Sequence, residues 1–147
     1  PKLFFIQACK GSMLDFGSLL QTQKSKTTRD CSMPKAVASK SSPNDESPYV
    51  IPSCADILVY FSTVEGYSSY RDHTTGSWFI QTLCNKFSEY LCGNTEEVDL
   101  MRILTAVNRH VAYDRQAVCP GEMTDACKQM PTITSMLTKM LIFNRKI

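Results

Sequence analysis

Histidine is scarce in this 147-residue chain: only His73 and His110 are present, in unrelated sequence contexts. The cysteines do not form the closely spaced pairs from which structural zinc sites are built, so no metal is expected, and no other cofactor either. Long apolar runs are missing too, and nothing approaches the roughly 20 residues that a bilayer crossing needs. Charge of one sign is not concentrated: 16 basic and 14 acidic residues leave a net +2, scattered along the chain, which argues against a nucleic-acid partner. The cysteines number seven, an odd set whose spacing suggests no disulfide framework, so the expectation is reduced thiols in a soluble cytoplasmic protein. With 43% hydrophobic and 20% charged residues, the chain has the material for one globular core.

What is present begins with Gln7-Ala8-Cys9-Lys10-Gly11, which follows the apolar run Leu3-Phe4-Phe5-Ile6. A cysteine there sits where a buried strand gives way to a loop. It is held rigidly yet reaches solvent, as a nucleophile must, although an inert half-buried thiol can occupy the same place. A second informative stretch is Gly66-Tyr67-Ser68-Ser69-Tyr70-Arg71-Asp72, followed by Gly76-Ser77-Trp78-Phe79-Ile80-Gln81.

Together these stretches resemble the caspase family. Its signature around the nucleophile is Gln-Ala-Cys, then Arg, Gln or Gly, then Gly, and only Lys10 departs from it. The stretch from Gly66 resembles the segment that lines the substrate cleft of effector caspases. The resemblance continues through Ile51-Pro52-Ser53-Cys54-Ala55-Asp56, Phe61-Ser62-Thr63, Gln129-Met130-Pro131 and Ser135-Met136-Leu137-Thr138-Lys139. It covers nearly all of the chain outside a polar linker and one loop.

Three segments are expected: 1–17, the end of a large subunit carrying the nucleophile; 18–50, an intersubunit linker; and 51–147, a small subunit. The linker holds Lys24-Ser25-Lys26-Thr27-Thr28-Arg29-Asp30 and Ser39-Lys40-Ser41-Ser42-Pro43-Asn44-Asp45-Glu46, too polar to offset the entropy of ordering. Lys2 to Ala8 reads as a strand buried on both faces, and Ala55 to Ser62 as a second buried strand. Ser77 precedes a helix with Trp78, Ile80, Leu83, Phe87 and Leu91 on one face, ending near Gly93. Asn94-Thr95-Glu96-Glu97 reads as a capping box opening a second helix with Leu100, Ile103, Leu104, Val107 and Val111 along its stripe. Thr132 to Phe143 reads as a last strand.

The resemblance implies an α/β fold, a three-layer sandwich whose mostly parallel six-stranded sheet is flanked by helices. About half of that sheet would precede Pro1, and the chain opens on a strand without an initiator methionine, so a fragment is expected, inactive and poorly soluble alone. The implied activity is that of a cysteine endopeptidase cleaving after aspartate in apoptotic proteolysis. Cys9 would be the nucleophile and its backbone N–H one oxyanion donor. The base would be a histidine about 50 residues upstream, a motif that neither His73 nor His110 matches.

Arg71, with Gln7 and a further upstream arginine, would clamp the aspartate carboxylate, a task suited to guanidinium geometry. Ser69, Tyr70 and Trp78 would line the substrate cleft, although Trp78 could equally be core. Ser68 stands where a tyrosine is usual and Tyr70 where a tryptophan is usual, implying a wider apolar pocket. Val118 and Thr124 replace residues that are often aromatic in vertebrate effector caspases, and Cys119-Pro120-Gly121-Glu122-Met123 looks more like invertebrate relatives. Activation would follow cleavage of the zymogen after Asp30, with Asp45 second. The implied partners are protein substrates, the upstream large-subunit residues, an activating caspase, protein inhibitors and a second large-plus-small-subunit pair, joined through the last strand. A catalytically inactive homologue serving as an interaction module is the alternative, favoured only by Lys10 and the altered pocket residues.

Overall fold

The apolar runs on either side of the polar segment 18–50 become neighbours in a sheet. In the computed structural model, which describes residues 1–18, 51–92 and 97–144, β1 (Lys2–Ile6) runs parallel to β2 (Ile57–Phe61). β6 (Thr132–Ser135) lies antiparallel on the other side of β2, giving the order β1-β2-β6. Leu3 is opposite Leu58, and Phe5 and Ile133 flank Tyr60. Because side chains alternate along a strand, this register gathers Leu3, Phe5, Leu58, Tyr60 and Ile133 on one face.

Both helices cover that face. α1 (Trp78–Cys92) starts where Ser77 Oγ accepts the Ile80 N–H at 3.2 Å, a serine N-cap. Phe79 meets the Tyr60 ring edge-on with centroids 4.8 Å apart, and Phe87 meets Phe5 in the same way at 6.3 Å. The buried face of α1 is therefore Phe79, Thr82, Leu83 and Phe87, rotated from the expected stripe, and Ile80 and Leu91 are exposed. The edge-to-face fit of Phe79 against Tyr60 fixes that rotation.

α2 (Leu100–Arg109) buries Leu100, Ile103, Leu104 and Val107 completely, with Val111 in the π-helical turn His110–Asp114 that continues it, so its stripe is the expected one. Each such side chain contributes about 1.5–3 kcal/mol by leaving water. The Tyr60 hydroxyl points at Asn108 Oδ1 (2.9 Å) and Leu104 O (3.2 Å), satisfying the one polar atom this strand buries under the helix. Burial pushes that phenol well above its usual pKa.

Three further expectations change. β1 is not buried on both faces: Leu3 and Phe5 pack on the core, but Phe4, on the face away from α1 and α2, is 47% exposed. The second helix does not open on a capping box. Glu97–Asp99 is instead a strand, β5, and Asp99 is the N-cap with extended backbone and no side-chain cap bond; Asn94, Thr95 and Glu96 lie outside the described residues.

The last strand is broken in two. Asp56, with φ +59°, donates its N–H to Met136 O (2.9 Å) and accepts the Thr138 N–H (3.0 Å) and hydroxyl (2.7 Å) on its carboxylate, turning the chain out of the sheet after Ser135. β7 (Ile142–Asn144) then pairs antiparallel with β5. Among the described residues no helix is long and apolar enough to cross a membrane, and no cluster of three metal-ligating side chains forms.

Candidate active site

Cys9 leaves the sheet on a loop whose two sides are fastened separately. On the near side, Ser62 follows β2 and is fully buried; its N–H donates to Ile6 O (2.9 Å), while its hydroxyl donates to Ala8 O (2.9 Å) and accepts from Ala8 N (3.2 Å). On the far side, residues 10–13 run against 66–68. Lys10 N donates to Tyr67 O (3.0 Å), Gly66 N to Lys10 O (3.1 Å), Met13 N to Gly66 O (3.0 Å) and Ser68 N to Met13 O (3.0 Å). The backbones approach so closely that a Cβ on Gly11 would lie 2.2 Å from Gly66 O. This is the physical content of the glycine two places after the cysteine.

The next residue along that second segment reaches the thiol. Ser69 N–H donates to Cys9 Sγ at 3.4 Å, and Ser69 Oγ and O both lie 3.7 Å from the sulfur. The Ser69 N–H, and secondarily its hydroxyl, lower the Cys9 pKa against a small opposing desolvation, so the reactive thiolate is favoured in an exposed position. Gln7 Nε2 donates to Ser69 Oγ at 3.0 Å, which leaves the hydroxyl proton free to point at sulfur. The Cys9 backbone N–H donates to no group among the described residues.

Tyr70 is held from behind. Its N–H donates to Gln129 Oε1 (2.6 Å), its carbonyl accepts the Trp78 N–H (3.2 Å), and its ring lies 5.1 Å from the Trp78 ring. Trp78, 7% exposed, packs with Leu14, Ala117 and Cys127 and backs Tyr70 from the core side. The Tyr70 hydroxyl is buried beside the Cys127 thiol; desolvation first, and then that neighbour, raise its pKa.

Arg71 opens β3 (Arg71–Asp72), which pairs with β4 (Gly76–Ser77). The Asp72 carboxylate shapes the turn between them by accepting the N–H groups of Thr74 (2.7 Å) and Thr75 (2.9 Å) and the Thr74 hydroxyl, and these bonds hold it below the usual carboxylate range. The Arg71 side chain is exposed, two residues beyond Ser69, and its guanidinium forms no ion pair or hydrogen bond among the described residues.

Of the two histidines, His73 is exposed in the β3–β4 turn and His110 pairs through Nδ1 with Asp114 (2.8 Å); no hydrogen bond joins either to Cys9. Lys10 also points elsewhere: its ammonium lies 2.7 Å from Glu65 Oε2 and 4.0 Å above the Phe61 ring. Ser68 serves the backbone, its hydroxyl reaching toward Gly11 O, and Val118 is 80% exposed in the loop ahead of Thr124. Asp30 and Asp45 lie outside the described residues. The structure thus brings Gln7, Cys9 and Ser69 into direct contact, with Tyr70, Arg71 and Trp78 following on the same stretch of chain.

Residues 1–142 match the family model described as "Caspase domain". The chain belongs to the caspase family. It is 41% identical to Caspase drICE of Drosophila melanogaster over 148 residues, covering 99% of this chain and 38% of that protein. Against Caspase-1 of Spodoptera frugiperda it is 44% identical over 147 residues, 99% of this chain and 42% of the relative. Caspase-3 of Xenopus laevis is 41% identical over 143 residues, 97% of this chain and 41% of the relative. The chain thus spans about two-fifths of the length of these curated relatives. The crystal structure of Caspase-1 from Spodoptera frugiperda superposes with a TM-score of 0.73 at 39% identity, covering 99% of this chain and 47% of that one. The sheet and its helices are the corresponding part of the caspase α/β fold.

Two contributors were not singled out as site residues from the sequence, Ser62 and Gln129. Both lie inside stretches that resemble the family. Neither carries a chemical signature of its own, and only burial with paired hydrogen bonds reveals what they hold.

Proposed function

We propose that this caspase is an aspartate-directed cysteine endopeptidase acting in apoptotic proteolysis. The observation that carries the reading is the Ser69 N–H on the Cys9 sulfur, with the exposed Arg71 guanidinium, unpaired among the described residues, two residues further along. The Cys9 thiolate attacks the main-chain carbonyl carbon of the substrate aspartate, forming a C–S bond, and the oxyanion accepts the Cys9 backbone N–H. A histidine from upstream large-subunit residues delivers a proton to the leaving amine as the C–N bond breaks; water then hydrolyses the thioester and regenerates the thiol. Arg71 and Gln7 receive the aspartate carboxylate with the help of an upstream arginine, while Tyr70, backed by Trp78, walls the adjoining pocket.

The protein is made as a zymogen in the cytoplasm and activated by another caspase cutting after Asp30, with Asp45 the second choice. The mature form pairs two large-plus-small-subunit units along the segment 132–143, where β6 presents the edge of the sheet. Lys10 gives no support to an inactive homologue, because its partners are Glu65 and Phe61 and not the thiol. In the full-length protein, Cys9→Ala should abolish cleavage of an aspartyl peptide while leaving the unfolding transition unchanged. Cleavage at the parent rate would reject the assignment.

A further inference from the structure

Gln129 is a polar side chain that the chemistry above does not use, yet it is 2% exposed and its amide is bonded at both ends. Its Nε2 donates to Ser62 O at 2.8 Å, and its Oε1 accepts the Tyr70 N–H at 2.6 Å. Those two partners adjoin the two groups that flank the Cys9 thiol in the hydrogen-bond network, Ala8 and Ser69. Ser62 holds Ala8, the residue before the nucleophile, through both its N–H and its carbonyl. Tyr70 follows Ser69, whose N–H lies on the sulfur. The segment carrying Ser69 continues into the exposed hairpin β3–β4, and between Ser68 and that hairpin the Tyr70 N–H is tied to nothing but Gln129.

From this arrangement we propose that Gln129 is a positioning residue for the reaction, a buried bracket that sets the Ser69 N–H against the Cys9 thiol by fixing Tyr70 to Ser62. The proposal rests on the reading of Cys9 as the nucleophile. It requires both a donor and an acceptor on one side chain, at a reach that asparagine lacks and glutamine has. A methionine would fill the space and leave the Ser62 carbonyl and Tyr70 N–H unpaired. Tyr70 would then be held by Trp78, through its carbonyl and its ring, with no tie to the Ser62 side of the loop, and the Ser69 N–H would be set less firmly against the nucleophile.

The test is made in the full-length protein, with Cys9 alkylation by iodoacetamide followed across pH by mass spectrometry of the peptide containing it. Gln129→Met should move the Cys9 alkylation profile to higher pH by about one unit, since a lost hydrogen bond to the thiolate raises its pKa. It should also lower kcat on an aspartyl peptide about ten-fold. Because Ser62 and Gln129 act in one bracket, Ser62→Ala and Gln129→Met should combine to less than the sum of their separate effects on that profile. An unchanged profile in folded Gln129→Met, or simple additivity with Ser62→Ala, overturns the proposal.

Should Gln129→Met fail to fold, amide exchange in the unsubstituted protein decides the matter. The Tyr70 amide should be strongly protected, and in Cys9→Ala it should stay so while the Ser69 amide is released; a Tyr70 amide exchanging at the rate of an open loop overturns it. Alkylation reads Cys9 whether or not the protein cleaves aspartyl peptides. A shifted profile in a protein without protease activity would therefore reject the proposed function and leave the bracket standing.

Discussion

Replacing Gly11 by alanine adds one methyl group where the backbone has no room for it. The new Cβ would lie 2.2 Å from Gly66 O, 2.4 Å from Gly66 C and 2.6 Å from Gly66 Cα, all backbone atoms that cannot rotate away. Restoring an ordinary contact requires the two segments to separate by about 1 Å, and the hydrogen bonds there, 3.0–3.1 Å long, do not survive that stretch. Losing the two nearest, Met13 N to Gly66 O and Gly66 N to Lys10 O, costs about 2 kcal/mol; losing all four between residues 10–13 and 66–68 costs about 4 kcal/mol. For a domain of this size that lowers Tm by roughly 5 to 15 °C.

The same separation draws Ser69 off the Cys9 sulfur, so alkylation of Cys9 should slow at neutral pH. Gly121→Ala is the control. At φ +83° with nothing within 4 Å, it meets only backbone strain of about 1–2 kcal/mol. It should leave Cys9 alkylation unchanged. Differential scanning calorimetry and the alkylation rate decide the matter: a Gly11→Ala protein with the parent's Tm and thiol reactivity would show that the close approach to Gly66 is not maintained in solution.

Arg71→Lys should cost ten-fold or more in kcat/KM on an aspartyl peptide, since an ammonium cannot reproduce the two-pronged contact; equal kinetics would refute the assignment. Mass spectrometry of the matured protein should find a new terminus at Cys31, with Glu46 the second choice, and a matured protein with neither would exclude Asp30 and Asp45 as the cut sites. Tyr60→Phe removes the hydroxyl that satisfies Asn108 Oδ1 and Leu104 O, and should lower stability by about 1–2 kcal/mol in urea titration; no change would mean that water replaces it. The Thr138 hydroxyl, and then its N–H, depress the Asp56 pKa, so their contribution is complete above the unfolded value near 4 and is lost as pH falls through the folded one. The stability difference between the parent and Thr138→Val should accordingly be largest near neutral pH and vanish in acid.

Much of this was legible where chemistry and spacing coincide. Leu100, Ile103, Leu104, Val107 and Val111 mark the buried side of α2 because a helix facing a sheet needs that period. The family signature likewise singled out Cys9, and the stretch from Gly66 singled out Ser69, whose N–H the structure sets against that sulfur. The errors arose where a distant partner overrode local preference. Residues 132–143 have the composition of one strand, but Asp56, far away in sequence, captures Thr138 and bends the chain. Asn94-Thr95-Glu96-Glu97 has the letters of a capping box, yet pairing of Glu97–Asp99 with β7 keeps Glu97 extended. In α1, the ring of Tyr60 chose Phe79 over Ile80. Gln129 could not be found at all without coordinates, since a glutamine becomes informative only when both ends of its amide are buried and bonded.

The parallel ladder between β1 and β2 joins residues on either side of the segment proposed to be cut. Its register runs from Lys2 opposite Ile57 to Ile6 opposite Phe61, and Ser62 and residues 66–68 extend the contact past Cys9. Cleavage between them would convert an intramolecular association into a bimolecular one without altering a contact. From then on the integrity of the thiol's surroundings would obey mass action: dilution would begin to separate Cys9 from the Ser69 N–H on its sulfur. The five-residue pairing between these strands and the bonds around Ser62 would then set how long a cut molecule stays whole.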